Sequence, residues 1–582
     1  MTKGNSARFD GISGSQVCSQ SRRRTEDGLA ARRGTATTSA DKPASPVRAG
    51  LQGPICGVAA LVKGDGPSRR TAPCSWALGG PAETSSNRAE FPKQSSFHRT
   101  NQPLAGCLVM ALCLAAGPAW VAAGDTVPPL SPDERRPGGA ATVTFDPTPS
   151  STLPAANLDS EEVAHFHAGK ALARQPWVIA PTATDARDGL GPLYNARTCL
   201  TCHVNGGRGV VPEGEKGTLP HGIVLLSVPS DNGLPVPEPT YGEQLQARGI
   251  GLADRFGSAQ GGDAGKLVGE GRIAIRWESV PFTYPDGESA ELRRPRMELQ
   301  NLGYGPMHPD VMTSLRNAPA LHGTGLLSLV DPADIAALAD PDDRDGDGIS
   351  GRVNRVIDPE SGERVVGRFG WKADRASLRE QVGVALQQDL GLSNPVFPEQ
   401  PCSPAQVSCR QAVDGADEDG LEVPERRFEL LVDHYTRHIG VPERRKPDHP
   451  VVRRGRELFH QTGCADCHRP SFRTMEDERF PALSAQTIWP YSDLLIHDMG
   501  EALADGRPAF EAGPSEWRTA PLWGLGLSRA INGSRNLLHD GRARSVEEAI
   551  LWHGGEAANA RARYVHLTPE ERDALEAFVR SL

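Results

Sequence analysis

The chain has 582 residues, with 73 Asp and Glu against 63 Lys and Arg, so its formal net charge is −10. An acidic balance of this kind argues against a nucleic acid as the main partner. The composition includes 63 Gly and 49 Pro but only 5% aromatic residues, which predicts a protein rich in loops and turns. No apolar run reaches the length of a bilayer span, and this excludes a polytopic membrane protein.

The N-terminal part of the chain differs from the rest in charge and composition. Residues 1–103 carry 15 Lys and Arg against 7 Asp and Glu and show no apolar periodicity. We interpret them as a disordered extension or as the product of an over-extended translation start. Residues 104–123 are uncharged and end in the small residues VAA. They predict a secretory signal peptide, with a buried helix as the alternative, so the mature chain would begin near Gly124.

The cysteines are the most informative residues of the chain. Five of the 11 precede the predicted mature start. Four of the other six form two Cys-x-x-Cys-His motifs, at 199–203 and 464–468. The last two, Cys402 and Cys409, lie in a Pro, Ser and Gln-rich loop, and in an oxidising compartment they are expected to form a disulfide.

Cys-x-x-Cys-His is the attachment motif of c-type haem. Two thiols add to the two vinyl groups of the haem, and the adjacent His is placed to bind the iron. A zinc site or a redox dithiol is the alternative, but two copies, each with His directly after the second Cys, favour haem. The sequence therefore predicts two covalently bound haem c groups, attached at Cys199, Cys202 and His203 and at Cys464, Cys467 and His468.

An acidic loop at 343–351 has the pattern of the first half of an EF-hand loop. Asp343, Asp345 and Asp347 occupy its first, third and fifth positions, and a Gly follows at the sixth. The twelfth position is Asn354 rather than the usual bidentate Glu. The loop is therefore either a calcium site or a solvated turn.

Four segments together resemble a known family, over roughly residues 158–582. They are GPLYNARTCLTCHVNGGRG (191–209), FGWKADRASLREQVGVALQQDLGLS (369–393), YSDLLIHDMGEALAD (491–505) and LLHDGRARSVEEAILWHGGEA (537–557). The chain resembles the bacterial di-haem oxidoreductases, relatives of the di-haem cytochrome c peroxidases and of the di-haem enzyme that matures the methylamine dehydrogenase cofactor.

The resemblance implies a mainly α fold with long loops and two cytochrome c-like domains. The first, residues 124–425, would carry the peroxidatic haem, and the second, residues 426–582, the electron-transfer haem. Residues 204–366 would be a partly β insertion in the first domain. Alternating apolar patterns at 222–228 and 272–277 predict strands within it.

The resemblance also implies the residues of a catalytic pocket. In the family a Trp lies between the haems, a Gln follows ten residues later, and an acid comes about ten further on. Here Trp371 is followed by Gln381 and, eight residues later, by Asp389, where the family usually has Glu. Helical spacing would let one helix present Gln381 and Asp389 to one pocket. The alternative is a surface helix beside a core Trp.

The resemblance implies one more iron ligand, opposite His468. In the family, a Met or Tyr in the helix after the HDG signature binds the iron of the second haem. The corresponding residue here is His553, and His497 and Met499 are the rival ligands. A second His ligand would lower the potential of that haem relative to Met ligation. At the first haem the sixth iron position is expected to be open, and His221 is either a switchable ligand or an ordinary loop residue.

These expectations describe a periplasmic di-haem c-type oxidoreductase. It would reduce hydrogen peroxide, or use it to oxidise another substrate, with electrons crossing from the second haem through Trp371. A small donor protein of the cytochrome c or cupredoxin type would dock on the acidic surface. We expect no nucleic acid partner and no membrane span in the mature form. The alternatives are an electron-transfer di-haem cytochrome without peroxidase activity and an oxidase that modifies a partner protein.

Overall fold

A computed structural model describes most of the chain beyond the predicted signal peptide. The described residues are 127 and the ranges 129–144, 152–183, 187–214, 216–219, 221–230, 234–251, 269–416 and 419–582. The predicted N-terminal extension (1–103) and signal peptide (104–123) lie outside them.

The helices are mostly short, and the longer ones occur near the two attachment motifs. The α-helices are α1 Ser160–Arg174, α2 Cys199–Cys202, α3 Thr324–Ser328, α4 Pro332–Ala336, α5 Leu378–Val384, α6 Val407–Arg410, α7 Glu425–Glu429, α8 Pro450–Gln461, α9 Cys464–Cys467, α10 Ser528–Asn532, α11 Val546–Trp552, α12 Ala558–Val565 and α13 Pro569–Ser581. Two of them continue as π-helix, at Ala385–Asp389 and Leu430–Thr436. Single 3₁₀ turns are Pro132–Arg135, Gly139–Ala141, Val204–Gly206, Pro481–Leu483, Leu525–Leu527 and Gly555–Ala557.

The strands form small sheets of two or three strands each. They are β1 Thr142–Val143, β2 Leu193–Tyr194, β3 Lys216–Thr218, β4 Gly222–Ser227, β5 Arg248–Gly249, β6 Arg272–Thr283, β7 Ser289–Gln300, β8 Met312–Asn317, β9 Arg355–Ile357, β10 Arg364–Val366, β11 Val441–Pro442, β12 Phe472–Arg473, β13 Thr487–Ile488, β14 Ile496–Asp498 and β15 Glu516–Arg518. The sheet orders are β1-β11, β2-β5, β3-β6-β7, β4-β8, β9-β10, β12-β13 and β14-β15.

The longest strands form an antiparallel hairpin in the predicted insertion. Strand β6 pairs with β7 from Arg272 opposite Gln300 to Thr283 opposite Ser289, and β3 adds to the free edge of β6. Ile273 alternates with more exposed neighbours and packs into a separate apolar cluster. The strands predicted at 222–228 and 272–277 are thus confirmed.

The prediction of a mainly α fold built from two cytochrome c-like domains is wrong. Of the residues that the structure describes, 30% are helical and 19% are in strands, with many small sheets. Strand pairings occur in the predicted insertion and also beyond it, as in β12-β13 and β14-β15. The described residues belong to one compact unit, and the domain boundary near residue 425 stays a prediction.

The core near the first motif is formed by α1 and the π-helix Leu430–Thr436. Helix α1 begins with a capping box, in which the Asp159 side chain and Glu162 satisfy each other's backbone amides. Gly169 allows the close approach, because a Cβ there would lie 1.9 Å from the Leu430 carbonyl oxygen. Phe166 is fully buried at this contact, and its ring centroid lies 5.3 Å from that of Tyr435.

The core near the second motif is formed by α8 and α13. Gly455 lies where the helices touch, since a Cβ there would be 1.8 Å from the Ala574 carbonyl oxygen. Phe459 and Phe578 pack across the contact with ring centroids 5.1 Å apart. Helix α8 leads directly to α9, as the GRELF sequence before the motif predicts.

Two further points concern covalent links and membranes. The predicted disulfide between Cys402 and Cys409 is confirmed. Across the described ranges, no helix combines the length and apolar character that crossing a membrane requires.

Candidate haem sites

Two cavities adjoin the two Cys-x-x-Cys-His motifs. The first cavity is lined by Cys199, Cys202 and His203. The second cavity is lined by Cys464, Cys467 and His468. Both cavities are partly open to solvent.

Each motif forms a single helical turn that brings its thiols and imidazole together. The amide of His203 donates to the Cys199 carbonyl at 3.1 Å, and the amide of His468 donates to the Cys464 carbonyl at 3.0 Å. None of the four cysteines is in a disulfide. Burial raises the pKa of Cys199 and of Cys464 to about 11, so both are neutral thiols. A redox dithiol with a reactive thiolate is disfavoured by this environment.

Three histidines share one hydrogen-bond pattern that fits iron ligands. The Nδ1 atom of His203 donates to the Pro319 carbonyl at 2.7 Å, and that of His468 donates to the Tyr491 carbonyl at 2.9 Å. His553 does the same toward the carbonyl four residues before it, at 2.6 Å. Because a carbonyl only accepts, each Nδ1 carries the proton and each Nε2 keeps its lone pair for a metal.

The electrostatics of these histidines also suit metal binding. Burial lowers the pKa of His203 and His553, and lowers that of His468 to about 4. The imidazoles are therefore neutral at physiological pH, as iron ligation requires. The charge of a protonated His553 would depress the His468 pKa further, so the two side chains lie near one another in the second cavity.

His497, one rival ligand in the second cavity, has both ring nitrogens engaged. Its Nε2 is 2.9 Å from Asp493 Oδ2, and its Nδ1 is 2.7 Å from Glu556 Oε2. Burial opposes protonation, but the hydrogen bonds and charges of these carboxylates raise the His497 pKa well above its ordinary value. As an imidazolium it has no lone pair to offer. Ligand atoms of Cys467, Asp493 and His497 do lie within 4.8 Å of one another, yet a cation there would have to displace that proton. Met499 lines the cavity together with His553.

The residues that line the two cavities fit two haem groups. The donor chemistry is complete at each cavity, with two unpaired thiols, one imidazole and apolar side chains beside them. The second cavity adds His553 as a further imidazole, and the assignment of that residue to the iron stays a prediction.

The first cavity holds the predicted proton-handling residues. Gln381 and Asp389 both line it, on the α5 helix and its π-helical continuation. The Asp389 carboxylate accepts a hydrogen bond from Gln244 Nε2 at 2.7 Å. Burial raises the Asp389 pKa to about 6, and the Gln244 hydrogen bond moderates the rise. The backbone of Asp389 accepts from the amides of residues 195 and 196, so it lies beside the attachment segment.

Asp389 differs from the other carboxyl group on the described wall of the first cavity. Burial would raise the pKa of Asp374, but the charges of Arg375 and Arg316 hold it below its ordinary value. Asp374 thus stays ionised, whereas Asp389 can take up and release a proton near neutral pH. The contact of Gln244 with Asp389 was not predicted from the sequence.

Trp371 lies in the wall that the two cavities share. It lines both of them, is 8% exposed, and donates from Nε1 to the Asn317 carbonyl at 2.8 Å. Arg208 and Arg518 also line both cavities, and the Arg208 guanidinium lies 5.2 Å from the Trp371 ring centroid. The sequence analysis missed both arginines, since they are more than 300 residues apart and no motif links them.

His221 lines the first cavity but has a different hydrogen-bond pattern. Its Nδ1 accepts from the Val210 amide at 3.3 Å, so the proton of the neutral ring is on Nε2. This is the reverse of the pattern at His203, His468 and His553.

The acidic loop brings its three aspartates together. Carboxylate oxygens of Asp343, Asp345 and Asp347 lie within 4.8 Å of one another, and calcium binding there stays a prediction. Asn354 is fully buried, and its side-chain amide donates to the carbonyls of residues 372 and 509, so it is not positioned as a twelfth ligand. Ser350 at the end of the loop donates to Glu556, the carboxylate that also binds His497.

Comparisons with known proteins agree with this chemistry. A family model described as "Di-haem oxidoreductase, putative peroxidase" matches residues 133–220 and 227–582. The search of curated proteins finds no match.

Proposed function

The chain belongs to the di-haem oxidoreductase family, and from this premise we propose that it is an exported c-type enzyme that reduces hydrogen peroxide or uses it to oxidise another substrate. The observation that carries the proposal is the first cavity. A carboxyl group with a pKa of about 6 lines the same space as a haem attachment motif. An electron carrier has no need of a proton-exchanging group beside its iron, whereas a peroxidase does.

Covalent attachment of both haem groups is part of this proposal, and the free cysteines of the two motifs support it. In each motif the two neutral thiols would add across the two vinyl groups of one haem, each forming a thioether. His203 and His468 would bind the irons through Nε2, with Nδ1 anchored on a backbone carbonyl. Haem bound in this way supplies the redox-active iron, and the protein supplies orientation and proton transfer.

Asp389 and Gln381 would handle the peroxide protons. The ionised Asp389 carboxylate would take a proton from one peroxide oxygen and return it to the other, which departs as water. Gln244 orients the carboxylate through its 2.7 Å hydrogen bond. Gln381 offers an amide that can donate to one peroxide oxygen.

Electrons would enter at the second cavity and cross through the shared wall at Trp371. The donor would be a small basic protein of the cytochrome c or cupredoxin type, because the chain is acidic overall. A periplasmic location is supported by the signal-peptide pattern at 104–123. N-terminal sequencing of the exported protein should give a start near Gly124, and a start upstream of residue 100 would contradict export by this segment.

The second candidate function is an electron carrier, and its specific support is His221 in the lining of the first cavity. As a sixth ligand it would close the iron to peroxide. Its Nδ1, however, accepts from the Val210 amide, so Nε2 carries the ring proton and would have to lose it or flip before binding iron. Oxidation of a partner protein is a variant of the enzyme proposal, since it would use the same cavity.

Low-temperature EPR of the oxidised holoprotein separates these functions. One high-spin and one low-spin ferric haem, with rapid optical changes on adding peroxide, support the enzyme. Two low-spin haems that ignore peroxide before and after half-reduction support the carrier. Gln381→Ala combined with Asp389→Ala should abolish peroxide turnover with both haems bound. The matched control is Gln388→Ala, a neighbouring amide outside the set that lines the first cavity.

A further inference from the structure

The wall between the two cavities contains two arginines that have no carboxylate within ion-pair distance in the described ranges. Arg208 is only 9% exposed, and its Nη2 donates to a single carbonyl, that of Leu538, at 3.3 Å. Its Nε has no hydrogen-bond partner among the described residues. Arg518 donates to two backbone carbonyls, at 2.9 and 3.2 Å. A guanidinium carries five N–H donors, so both side chains keep donors to spare.

Other buried arginines of this protein have their charge balanced or their donors used. Arg316 pairs with Asp505 at 3.4 Å, and Arg542 pairs with Asp540 at 2.7 Å. Arg293 has no carboxylate within ion-pair distance among the described residues, but three backbone carbonyls accept from it. Arg208 makes one hydrogen bond and Arg518 two, fewer than Arg293, and neither has a described carboxylate within ion-pair distance. The charges of Asp374 and Asp493 act on Arg518 only from beyond that distance. A buried cation without a close counter-ion is costly.

The positions of the two arginines indicate where their counter-ion comes from. Both line the first and the second cavity, so both face ligands in either. Burial lowers the pKa of each to about 10, and the charge of Arg518 lowers that of Arg208 further, so the two guanidiniums lie near one another. Two close cations with unused donors form a site for carboxylates.

We propose that Arg208 and Arg518 bind propionate carboxylates of both haem groups at the wall beside Trp371. The inference rests on the proposed haem attachment. A haem held through its vinyl groups presents its propionates at the opposite edge, away from the cysteines. The wall shared by the two cavities is where such edges can meet the same pair of guanidiniums. Each guanidinium can donate bidentately to a carboxylate, which fixes the tilt of the haem as well as balancing its charge.

The reduction potentials of the two haem groups in the holoprotein test whether the arginines bind the propionates, and the measurement does not use peroxide. In Arg208→Gln and Arg518→Gln, the unbalanced propionates should stabilise ferric iron. We expect a shift of at least tenfold in the ferric–ferrous equilibrium of a haem, which is about 59 mV toward lower potential for one electron. Arg208→Lys and Arg518→Lys keep the charge and should recover most of the shift. Arg293→Gln is the matched control, a buried carbonyl-bound arginine outside the lining of both cavities.

The proposal would be overturned if the reduction potentials of both haem groups were unchanged in the two Gln variants, as they should be in the control. A second measurement needs no variant and covers the case in which these variants fail to load haem. Infrared spectra of unmodified holoprotein with ¹³C-labelled propionates should show ionised carboxylates from pH 8 down to pH 4. Free carboxyls have a pKa of about 4.3 and would be more than half protonated at pH 4. A labelled protonated band in this range would refute the pairing, whereas loss of haem on acid extraction would refute the attachment instead.

Discussion

Asp389→Asn should remove most of the peroxide turnover and also its pH dependence. Burial raises the pKa of this carboxyl from 3.8 to about 6, which favours the neutral form by about 3 kcal/mol relative to water. A group acting as base must be ionised, and its pKa is raised, so activity is lost as the pH falls through 6. The ionised fraction is about one tenth at pH 5 and about nine tenths at pH 7, so kcat/KM should rise about ninefold to tenfold across this interval.

The assay is kcat/KM for hydrogen peroxide from pH 4.5 to 8 with a constant electron donor. Asp389→Asn should lower the plateau by about 10²–10⁴, the usual range for losing a general base, and leave a flat profile. Gln244→Leu removes the hydrogen bond that holds the pKa down, so its profile should move to higher pH. A variant Asp389→Asn that keeps the wild-type step near pH 6 would refute the assignment, because another group would then be titrating.

Three further predictions concern the second cavity, the acidic loop and the core. His553→Ala should convert the low-spin EPR signal of the second haem to high-spin, whereas Met499→Leu, in the same cavity, should leave it unchanged; the opposite result would make Met499 the ligand. If the acidic loop binds calcium, chelation should lower Tm and Ca²⁺ should restore it, and Asp345→Asn should abolish the response. If chelation leaves Tm unchanged, the acidic loop is a solvated turn and does not bind calcium. Gly455→Ala should cost about 1–3 kcal/mol of unfolding free energy in denaturant titrations, because its Cβ would meet a backbone carbonyl at 1.8 Å. Gly214→Ala is the control, because a Cβ there would lie 4.0 Å from its nearest neighbour, an ordinary contact distance. Equal losses in both variants would contradict the packing argument.

The structural elements that could be predicted from the sequence are those that depend on local sequence patterns. Helix α8 and the single-turn α9 follow from the apolar spacing before the motif and from the motif itself. The β6–β7 hairpin was partly predicted, because alternation between residues 272 and 277 is a local signal. The Cys402–Cys409 disulfide was predicted because only two cysteines remained after the motifs were assigned.

The mainly α prediction failed because many strands here are too short to be recognised in the sequence. Strands of two residues, such as β1 and β11, carry too little alternation, and this pair forms only when remote segments meet. The contacts of the site have the same origin. Gln244 reaches Asp389 across 145 positions of the chain, and Arg208 and Arg518 meet only in the folded protein. Their charges alone gave no sign of a shared location.

The π-helical turn at Ala385–Asp389 has a consequence for how this pocket can change. A π-helical turn contains one more residue than an α-helical turn. In an α-helix, one residue corresponds to a rotation of about 100°. A single deletion inside the turn would therefore rotate Asp389 away from Gln244 and bring another side chain toward the cavity, while α5 keeps its cap at Ser377. The chemistry of the pocket is thus adjustable by insertion or loss of one codon, independently of the packing that holds the helix in place.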